Sequence, residues 1–422
     1  MAKKDKIFIQ IASYRDPELL PTLRDCIGKA KYPERLRFGI CKQSHEKDEW
    51  DTKGEFADDK RFTWYDVKWN ESKGVCWARN MVQNAYNGED YTLQLDSHHR
   101  FQHDWDEILI KMIKQLQKAG HKKPLLTAYV TPFDPEKNKG FEDDMKDLDN
   151  RPCRLVFDRF TPEGCVFFKP HWMEGHEKMS HPEPCRFYSA HFAFTIGDFC
   201  KEVRHDPNYY FHGEEISIAA RAFTHGYDLF SPHVNVVWHE YTRQYRDSKH
   251  WVDHVDENKP ELVDGLNWVE RNNLSHQRNR ILFGMEPDIG VNFGEYGFGT
   301  ERTLQEYEDW CHLDFKNRAT RIEEGKRKYA LKCNFDISGE IKQHHDDIKF
   351  VVFAIHDKDG ETIHRQDITP ERDPKVFAGE ESFKVVEFVV DEDVQPETFV
   401  IWPFSESNEW LQRITKPVSR GH

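Results

Sequence analysis

The chain has 422 residues, enough for two or three domains and a sizeable core. Its 60 Lys and Arg residues against 75 Asp and Glu residues give a net charge of −15, which excludes binding of nucleic acid through bulk positive charge. No apolar run approaches the roughly 18 residues that a membrane span requires, and we expect no secretory leader before the first strand. Nine cysteines without framework spacing are typical of free thiols. We therefore expect a cytoplasmic protein with neither a membrane nor a nucleic-acid partner.

The order of the predicted elements favours an α/β fold. Residues 6–13 form a short apolar strand, 19–30 a helix, and 35–42 and 61–67 two further strands. Strand, helix and strand at these intervals predict a doubly wound, mostly parallel sheet. Neither GxGxxG after the first strand nor GxxxxGK[ST] occurs, which removes support for a dinucleotide fold or a P-loop.

The most informative stretch is residues 91–101, YTLQLDSHHRF. Its alternation predicts a buried strand that ends at Asp96, on the sheet edge where open α/β sheets place their ligand sites. Residues i and i+2 of an extended chain point the same way, so Asp96 and His98 are candidates to bind one cation together. An oxygen and a nitrogen ligand suit Mn²⁺, and less exclusively Mg²⁺ or Zn²⁺. The alternative, a strand end with solvated polar residues, remains open on these residues alone.

Three later segments place charged or imidazole groups near the predicted sheet. Arg79 lies in an early turn of a predicted helix, where it suits either an anion or a solvated face. Glu214 and Glu215 begin another predicted helix, and ordinary capping would explain both of them. A strand predicted over 227–241 carries His239 near its end, about where a third metal ligand would have to arise.

The charged stretch 134–149 predicts a surface loop. Near residue 328 the pattern changes to short β-like runs with turns, including a hairpin signal at Asp359-Gly360. We therefore expect an α/β domain over 1–325 and a small β-sandwich-like accessory domain over 326–422. The second domain shows no catalytic cluster, so a structural, binding or assembly role is predicted, with homo-oligomer formation among the options.

Four blocks together carry a family resemblance. They are IFIQIASYRDPELLPTL, GVCWARN with GEDYTLQLDSHHRF, FHGEEISIAARAFTHGYDLFSP with VWHEY, and GFGTERTLQEYEDW. In this order they resemble the GT-A glycosyltransferases typified by the cytoplasmic polypeptide α-N-acetylglucosaminyltransferases of protists. Typical members add GlcNAc from UDP-GlcNAc to hydroxyproline of a protein. The resemblance covers residues 6–315 and leaves the C-terminal β-like part outside it.

The resemblance implies a metal and nucleotide site. Asp96-Ser97-His98 is similar to the DxD/DxH motif that holds Mn²⁺ or Mg²⁺ against the UDP diphosphate. The same form occurs in polypeptide GalNAc-transferases, whose third metal ligand is a later histidine, and His239 is the candidate here. The resemblance also implies a nucleotide pocket that includes Ser13, Arg15 and Arg79.

The resemblance further implies a retaining transfer from a UDP-sugar, most simply UDP-GlcNAc, to a hydroxyl acceptor by front-face attack. Asp96, Glu214 and Glu215 are then the catalytic candidates, with the glutamates binding sugar hydroxyls or the acceptor. If the reaction inverted, one glutamate would be the general base. His99 departs from the family, where an apolar residue such as Met is expected, and it could crowd or polarise the sugar pocket.

Two other classes of function remain open at this point. A metal-dependent hydrolase would also use a carboxylate–imidazole cluster, to activate water. A non-catalytic carbohydrate-binding protein built on a decayed transferase would keep the fold without turnover. The intact Asp96-Ser97-His98 motif and the later His239 argue against decay.

Overall fold

The computed structural model describes residues 5–138, 148–321, 326–335, 341, 347–378, 380, 383–391, 394–407 and 409–418. The chain divides into two compact units. The first comprises residues 1–156, 169–282 and 288–307, and the second 157–168, 283–287 and 308–422. The predicted boundary at 325 falls on residues 322–325, which lie outside the described residues, as do residues 139–147 of the predicted surface loop.

The elements up to residue 311 follow the predicted order. The helices are α1 (Leu19–Lys29), α2 (Val75–Gln83), α3 (Trp105–Lys118), α4 (Phe199–Glu202), α5 (Glu214–Thr224), α6 (His250–Asp253), α7 (Trp268–Leu282) and α8 (Leu304–Cys311). The strands are β1 (Ile7–Tyr14), β2 (Leu36–Ser44), β3 (Phe62–Lys68), β4 (Tyr91–Asp96), β5 (His99–Phe101), β6 (Pro124–Thr127), β7 (Thr131–Pro132), β8 (Cys153–Phe160), β9 (Val166–Trp172), β10 (Glu183–Pro184), β11 (Phe192–Ile196), β12 (Asp228–Ser231) and β13 (Val237–His239).

The first unit is built on an eight-stranded sheet in the order β10–β12–β6–β11–β4–β1–β2–β3. Strand β1 is parallel to both β2 and β4, and β3 is parallel to β2. Strand β11 is antiparallel to its two neighbours, and β12 is parallel to β6. The predicted fold class, a mostly parallel α/β sheet of the GT-A type followed by a β-rich part, is confirmed.

Both faces of this sheet are buried, which explains the nearly continuous apolar sequence of β1. Ile9 and its neighbours at alternate positions pack against α1 and α3, while Phe8 packs on the other face with Val82 of α2. Polar residues of β4 are buried too. The buried amide of Gln94 is satisfied by a hydrogen bond that its Nε2 donates to the Ala190 carbonyl oxygen at 2.6 Å. The alternation in β4 therefore separates two covered faces, not a covered face from solvent.

A second, three-stranded sheet brings a distant segment to the end of β4. Strand β13 lies between β5 and β7, antiparallel to β5 and parallel to β7. In this register His239 stands opposite His99. The single strand predicted over 227–241 is therefore two strands in different sheets, β12 and β13, with Pro232 in the connection. Proline lacks the N–H that a continuous strand interior would use.

The second unit is rich in β-structure and contains a sandwich. Its remaining elements are β14 (Leu313–Asp314), β15 (Ala319–Thr320), β16 (Lys326–Asn334), β17 (Ile348–Asp357), β18 (Thr362–Ile368), α9 (Pro374–Ala378), β19 (Phe383–Asp391), β20 (Pro396–Ser405), β21 (Glu409–Trp410) and β22 (Ile414–Pro417). Strands β16 and β19 form one sheet, and β18–β17–β20–β21 with β22 form another. Phe353 and Ile401 of the larger sheet share one apolar cluster with Phe388 of the smaller.

Two predictions about the whole chain can be compared with the structure. All nine cysteines are buried free thiols, as expected. Among the helices of the described residues, none combines the length and the apolar character that a membrane crossing requires.

Candidate active site

Three side chains from different parts of the first unit converge at the end of β4. The chain bends after Asp96 instead of continuing extended, and this bend turns His98 back towards the strand end. Asp96 Oδ2 lies 3.8 Å from His98 Nε2 and 3.3 Å from His239 Nε2. One ligand atom from each of the three residues lies within 4.8 Å of the others. One carboxylate oxygen and two imidazole nitrogens form a donor set that suits Mn²⁺ or Zn²⁺. We call these three residues the metal corner.

The carboxylate of Asp16 fixes the tautomer of His98. Burial opposes ionisation of Asp16, but Arg246 and His98 outweigh it and hold the pKa of this carboxyl well below its usual value. His98 Nδ1 lies 2.8 Å from Asp16 Oδ2, so an ionised Asp16 accepts the Nδ1 proton. His98 Nε2 is then left with a lone pair, and this buried atom has no hydrogen-bond partner among the described residues. Such a carboxylate–imidazole pair is the arrangement that orients a metal-binding histidine.

Asp16 also connects the metal corner to a later loop, and sequence reasoning missed it. The Ser97 hydroxyl donates to Asp16 Oδ2 at 2.5 Å, and the Tyr245 hydroxyl donates to Oδ1 at 2.9 Å. Arg246 Nη1 lies 3.3 Å from Oδ2 and donates to the Tyr14 carbonyl oxygen at 2.6 Å. In the sequence, Asp16 precedes Pro17 and looks like a turn residue, so only its position at the end of β1 could have indicated a role.

Arg79 bridges the buried carboxylate of Glu214 and the partly buried carboxylate of Asp96. Its Nη2 donates to Asp96 Oδ1 at 2.5 Å, and its Nη1 donates to Glu214 Oε1 and Oε2 at 2.6 and 2.7 Å. Burial would raise the pKa of each carboxyl, but Arg79 together with His239 at Asp96 and His205 at Glu214 lowers both. Because Arg79 occupies Oδ1 of Asp96, the other oxygen, Oδ2, faces the two imidazoles.

The two adjacent glutamates have opposite surroundings. Glu214 is held by Arg79 and by His205, whose Nδ1 lies 2.9 Å from Glu214 Oε1. Glu215 accepts hydrogen bonds from neutral groups instead, the Tyr129 hydroxyl at 2.6 Å and the Ala190 N–H at 2.9 Å. Burial raises the pKa of Glu215 to about 7, against the effect of these two hydrogen bonds.

His99 lies behind the metal corner. It is fully buried, with Nδ1 3.0 Å from the Trp238 carbonyl oxygen and Nε2 accepting from the Asp96 N–H at 3.3 Å. Burial and the nearby His191 hold its pKa well below the usual value, so the ring is neutral. His99 therefore joins the end of β4 to β13, and it is not among the described residues that line the adjacent cavity.

A cavity of about 400 Å³ opens beside the metal corner. Two arginines that the sequence analysis did not anticipate, Arg243 and Arg246, line it, and Arg243 Nη2 lies 3.9 Å from Asp96 Oδ2. Gly74, which caps the N-terminus of α2, also lines it at a φ of 106°, and a Cβ there would lie 2.6 Å from the Tyr210 ring. The aromatic and imidazole wall consists of Tyr14, Tyr210, Phe211, His212, His250, Trp251 and Trp268.

The predicted site residues are only partly brought together at this cavity. Asp96, Ser97, His98 and Arg79 line it, whereas the described lining residues include neither glutamate. Arg15 forms ion pairs with Asp48 at 2.5 Å and Asp253 at 2.8 Å, and its side chain is not part of the lining. Ser13 is buried, and its carbonyl oxygen accepts from Gln43 Nε2 at 3.1 Å. Roles of Ser13 and Arg15 in nucleotide binding stay predictions.

Comparison with known proteins identifies the family of this chain. The family model described as Glycosyltransferase (GlcNAc) matches residues 6–61 and 51–317, well over half of the chain. The protein belongs to this glycosyltransferase family. Among curated protein sequences, none matches the chain.

Several solved structures are similar to this one. GalNAc-T7 with UDP, GalNAc and Mn²⁺ has a TM-score of 0.47 and 12% identity, covering 98% of this chain and 69% of that one. S. aureus TarS 1–349 in complex with UDP-GlcNAc has a TM-score of 0.36 and 9% identity, covering 67% and 76% of the two chains. The mannosyltransferase PcManGT from Pyrobaculum calidifontis with GDP-Man and Mn²⁺ has a TM-score of 0.36 and 12% identity, covering 67% and 71%.

Proposed function

We propose that this glycosyltransferase uses a divalent cation, Mn²⁺ or Mg²⁺, to transfer a sugar from a UDP-sugar to a hydroxyl acceptor. The observation that carries the proposal is the convergence of Asp96 Oδ2, His98 Nε2 and His239 Nε2 beside a cavity lined by two arginines. The unpartnered Nε2 of His98, held in one tautomer by Asp16, fits a cation ligand. A cation bound there would supply positive charge against the diphosphate of the departing UDP.

The chain's own residues would bind and orient the donor. Arg243 and Arg246 line the cavity near the metal corner, and their guanidinium groups suit diphosphate oxygens. The N-terminus of α2, which has no side-chain capping hydrogen bond, borders the same cavity at Gly74 and Val75, and a helix N-terminus favours an anion. The aromatic wall offers ring faces on which a nucleoside base can stack.

The contacts of the glutamates refine the roles predicted for them. Glu214 acts through Arg79, which holds Asp96, so we assign it as a positioning residue and not as a nucleophile. Glu215 keeps the proposed role of binding a sugar hydroxyl or the acceptor, for which a carboxyl that is partly protonated near neutral pH is suited. A retaining transfer by front-face attack requires no enzyme nucleophile and agrees with both assignments.

GlcNAc is the proposed sugar because the matched family is the Glycosyltransferase (GlcNAc) family. A protein hydroxyproline is the acceptor that the sequence resemblance suggests, in a cytoplasmic setting. The β-rich second unit is the proposed place for acceptor recruitment or homo-oligomer formation.

The test is UDP release from a panel of UDP-sugars, with and without Mn²⁺, by the wild type and Asp96→Asn. We expect slow Mn²⁺-dependent release from UDP-GlcNAc, with water as the acceptor, and at least a hundredfold loss in the variant, because charge stabilisation of a leaving group contributes on the order of several kcal/mol. Asp58→Asn, on an exposed surface of the same unit, is the matched control and should keep full activity.

Full activity of Asp96→Asn would overturn the metal assignment. If no sugar gives release, calorimetric titration with UDP and Mn²⁺ separates the remaining outcomes. Binding of UDP that requires Mn²⁺ would support a transferase that needs its own acceptor. Absence of any UDP binding would overturn the proposed function.

A further inference from the structure

A second cavity, of about 370 Å³, lies on the other side of Tyr210. We call the first cavity, beside the metal corner, the donor cavity. Tyr210 lines both cavities, and its hydroxyl is 2.9 Å from Nδ1 of His250, which lines the donor cavity. Helix α7 also contributes to both cavities, with Trp268 and Asn272 on the donor side and Arg271 and Gln277 on the other. The two cavities therefore share Tyr210 and helix α7, and their other lining residues differ.

Positive charge dominates the lining of this second cavity, although the chain as a whole carries −15. Lys73, Arg271 and Arg278 line it, and Asp264 is the acidic residue among the described lining residues. Arg278 forms an ion pair outside the lining, with Nε 2.6 Å from Asp206 Oδ2. Among the described residues, three cations thus face two carboxylates, because Lys73 and Arg271 share Asp264.

Lys73 is the more weakly paired of the two cations at Asp264, and its side chain is 43% exposed. Its Nζ lies 3.8 Å from Asp264 Oδ2, too far for a hydrogen bond, while Arg271 Nη2 is hydrogen-bonded to Asp264 Oδ1. Arg271 is 9% exposed, and its Nε has no hydrogen-bond partner among the described residues. A buried guanidinium with an unpaired N–H is unfavourable unless another acceptor reaches the group. Ion pairing within the protein therefore does not satisfy this set of cations.

We propose that the second cavity binds an oxyanion, a phosphate or carboxylate group, carried by a small organic molecule or present as the free anion. Lys73 and Arg271 supply the charge, and charge-assisted hydrogen bonds to such groups are strong. The cavity is larger than one phosphate requires, and Leu266, Leu274, Ile281 and Val291 give it an apolar side that suits an organic body. The proposal concerns a site additional to the donor cavity and holds whether or not the proposed function is correct.

The test is calorimetric titration of the full chain with inorganic phosphate in metal-free buffer, followed by α-glucose 1-phosphate. We expect saturable binding of phosphate that weakens about tenfold in Lys73→Gln, because this ammonium group makes no hydrogen bond to Asp264. Lys60→Gln, an exposed lysine of the same unit, removes the same charge elsewhere and should leave the affinity unchanged.

Arg243→Gln shows which cavity holds the phosphate. Phosphate bound in the donor cavity would be weakened by Arg243→Gln and not by Lys73→Gln, and that result would overturn the proposal. Absence of binding to the wild type, or equal affinity of Lys73→Gln and Lys60→Gln, would overturn it as well. Tighter binding of glucose 1-phosphate than of phosphate would assign the site to a phosphorylated organic molecule; equal affinity would assign it to the free anion.

UDP and Mn²⁺ binding, measured on the same variants, separates this inference from the proposed function. We expect Lys73→Gln to keep the UDP affinity of the wild type, since Lys73 does not line the donor cavity. The double variant Lys73→Gln/Arg271→Gln should lose phosphate binding altogether. The double variant leaves Asp264 without its arginine and could fail to fold. The single variant Lys73→Gln is therefore the decisive test.

Discussion

The interiors of the two units differ in chemistry. In the first unit, Arg79, Glu214 and the imidazole of His239 are buried around the end of β4, and the side chain of Asp96 beside them is 16% exposed. In the second unit, the cluster around Phe353 is apolar among the described residues. Buried charges are unfavourable unless they are paired and hydrogen-bonded, whereas apolar side chains stabilise a fold directly. A fold that keeps so many charged groups in one buried place therefore indicates where its chemistry is done.

Removal of Arg79 is expected to have the largest effect on stability, because this one side chain pairs with both Asp96 and Glu214. Arg79→Met leaves the carboxylates of Asp96 and Glu214 buried without their shared cation. We expect the free energy of unfolding to fall by about 3–5 kcal/mol and Mn²⁺ binding to be lost. The loss of stability should shrink as the pH falls towards 4. Arg79 lowers both pKa values in the wild type, but in the variant burial raises them, so the two carboxyl groups take up protons and the unpaired charge is removed.

Arg24→Met is the matched control for this variant. Arg24 pairs with Glu55 at 2.5 Å on the surface, and both side chains are about half exposed. We expect a loss of less than about 1 kcal/mol. Denaturant unfolding at two pH values measures both variants, and equal losses would contradict the role assigned to Arg79.

Phe353→Ala is the corresponding change in the apolar interior. Phe353 is fully buried and contacts Phe399 with ring centroids 5.6 Å apart. We expect the unfolding free energy of this unit to fall by about 3 kcal/mol, because the deletion removes apolar contacts and leaves a cavity. Mn²⁺ affinity of the folded variant should stay at the wild-type value, since no metal-corner residue belongs to this cluster. A clear loss of Mn²⁺ affinity below the unfolding transition would contradict the comparison.

Asp16→Asn tests whether the charged interior orients the metal corner. The amide can still accept the His98 Nδ1 proton, but it removes the charge that fixes the tautomer and pairs with Arg246. We expect Mn²⁺ affinity to fall about 10–100-fold with a folded structure retained. Direct Mn²⁺ titration, with Asp58→Asn as control, measures this. Unchanged affinity would show that Asp16 does not set the orientation of His98.

Local patterns explain what the sequence predicted well. The alternation in residues 91–96 specifies β4, and the change to polar residues specifies its end at Asp96, because both depend on near neighbours in the chain. The segment 227–241 contains a second local signal: Ser231-Pro232 marks the point where the chain leaves the main sheet for β13. That separation, not a single long strand, carries His239 to the metal corner.

Long-range pairing explains what the sequence did not predict. Arg79 and Glu214 are 135 positions apart, and each could be interpreted alone as a helix-terminal residue. Asp16 and Arg246 meet only because the loop after β13 returns to the end of β1. A single sequence shows which residues are charged but not which of them meet in the folded chain. The partners of Arg79 and Asp16 could therefore be identified only in the structure.

Glu215 offers the smallest effect and the finest comparison, since its neighbour Glu214 is ionised and paired. The pKa of Glu215 is raised to about 7 by burial, above its ordinary value of 4.5, so the folded protein binds this proton more tightly than the unfolded chain. Its contribution to stability is present below pH 4.5 and is lost as the pH rises through about 7. Glu215→Gln does not ionise; its amide oxygen can accept from the Ala190 N–H while its amide nitrogen donates to the Tyr129 hydroxyl oxygen. Relative to the wild type, we expect the free energy of unfolding of Glu215→Gln to rise by on the order of 1 kcal/mol between about pH 5 and pH 8. Thermal unfolding at both pH values measures this gain, and Glu257→Gln, at an exposed position, is the carboxyl-to-amide control. If the difference in stability between Glu215→Gln and the wild type does not change with pH, Glu215 is ionised throughout, like Glu214.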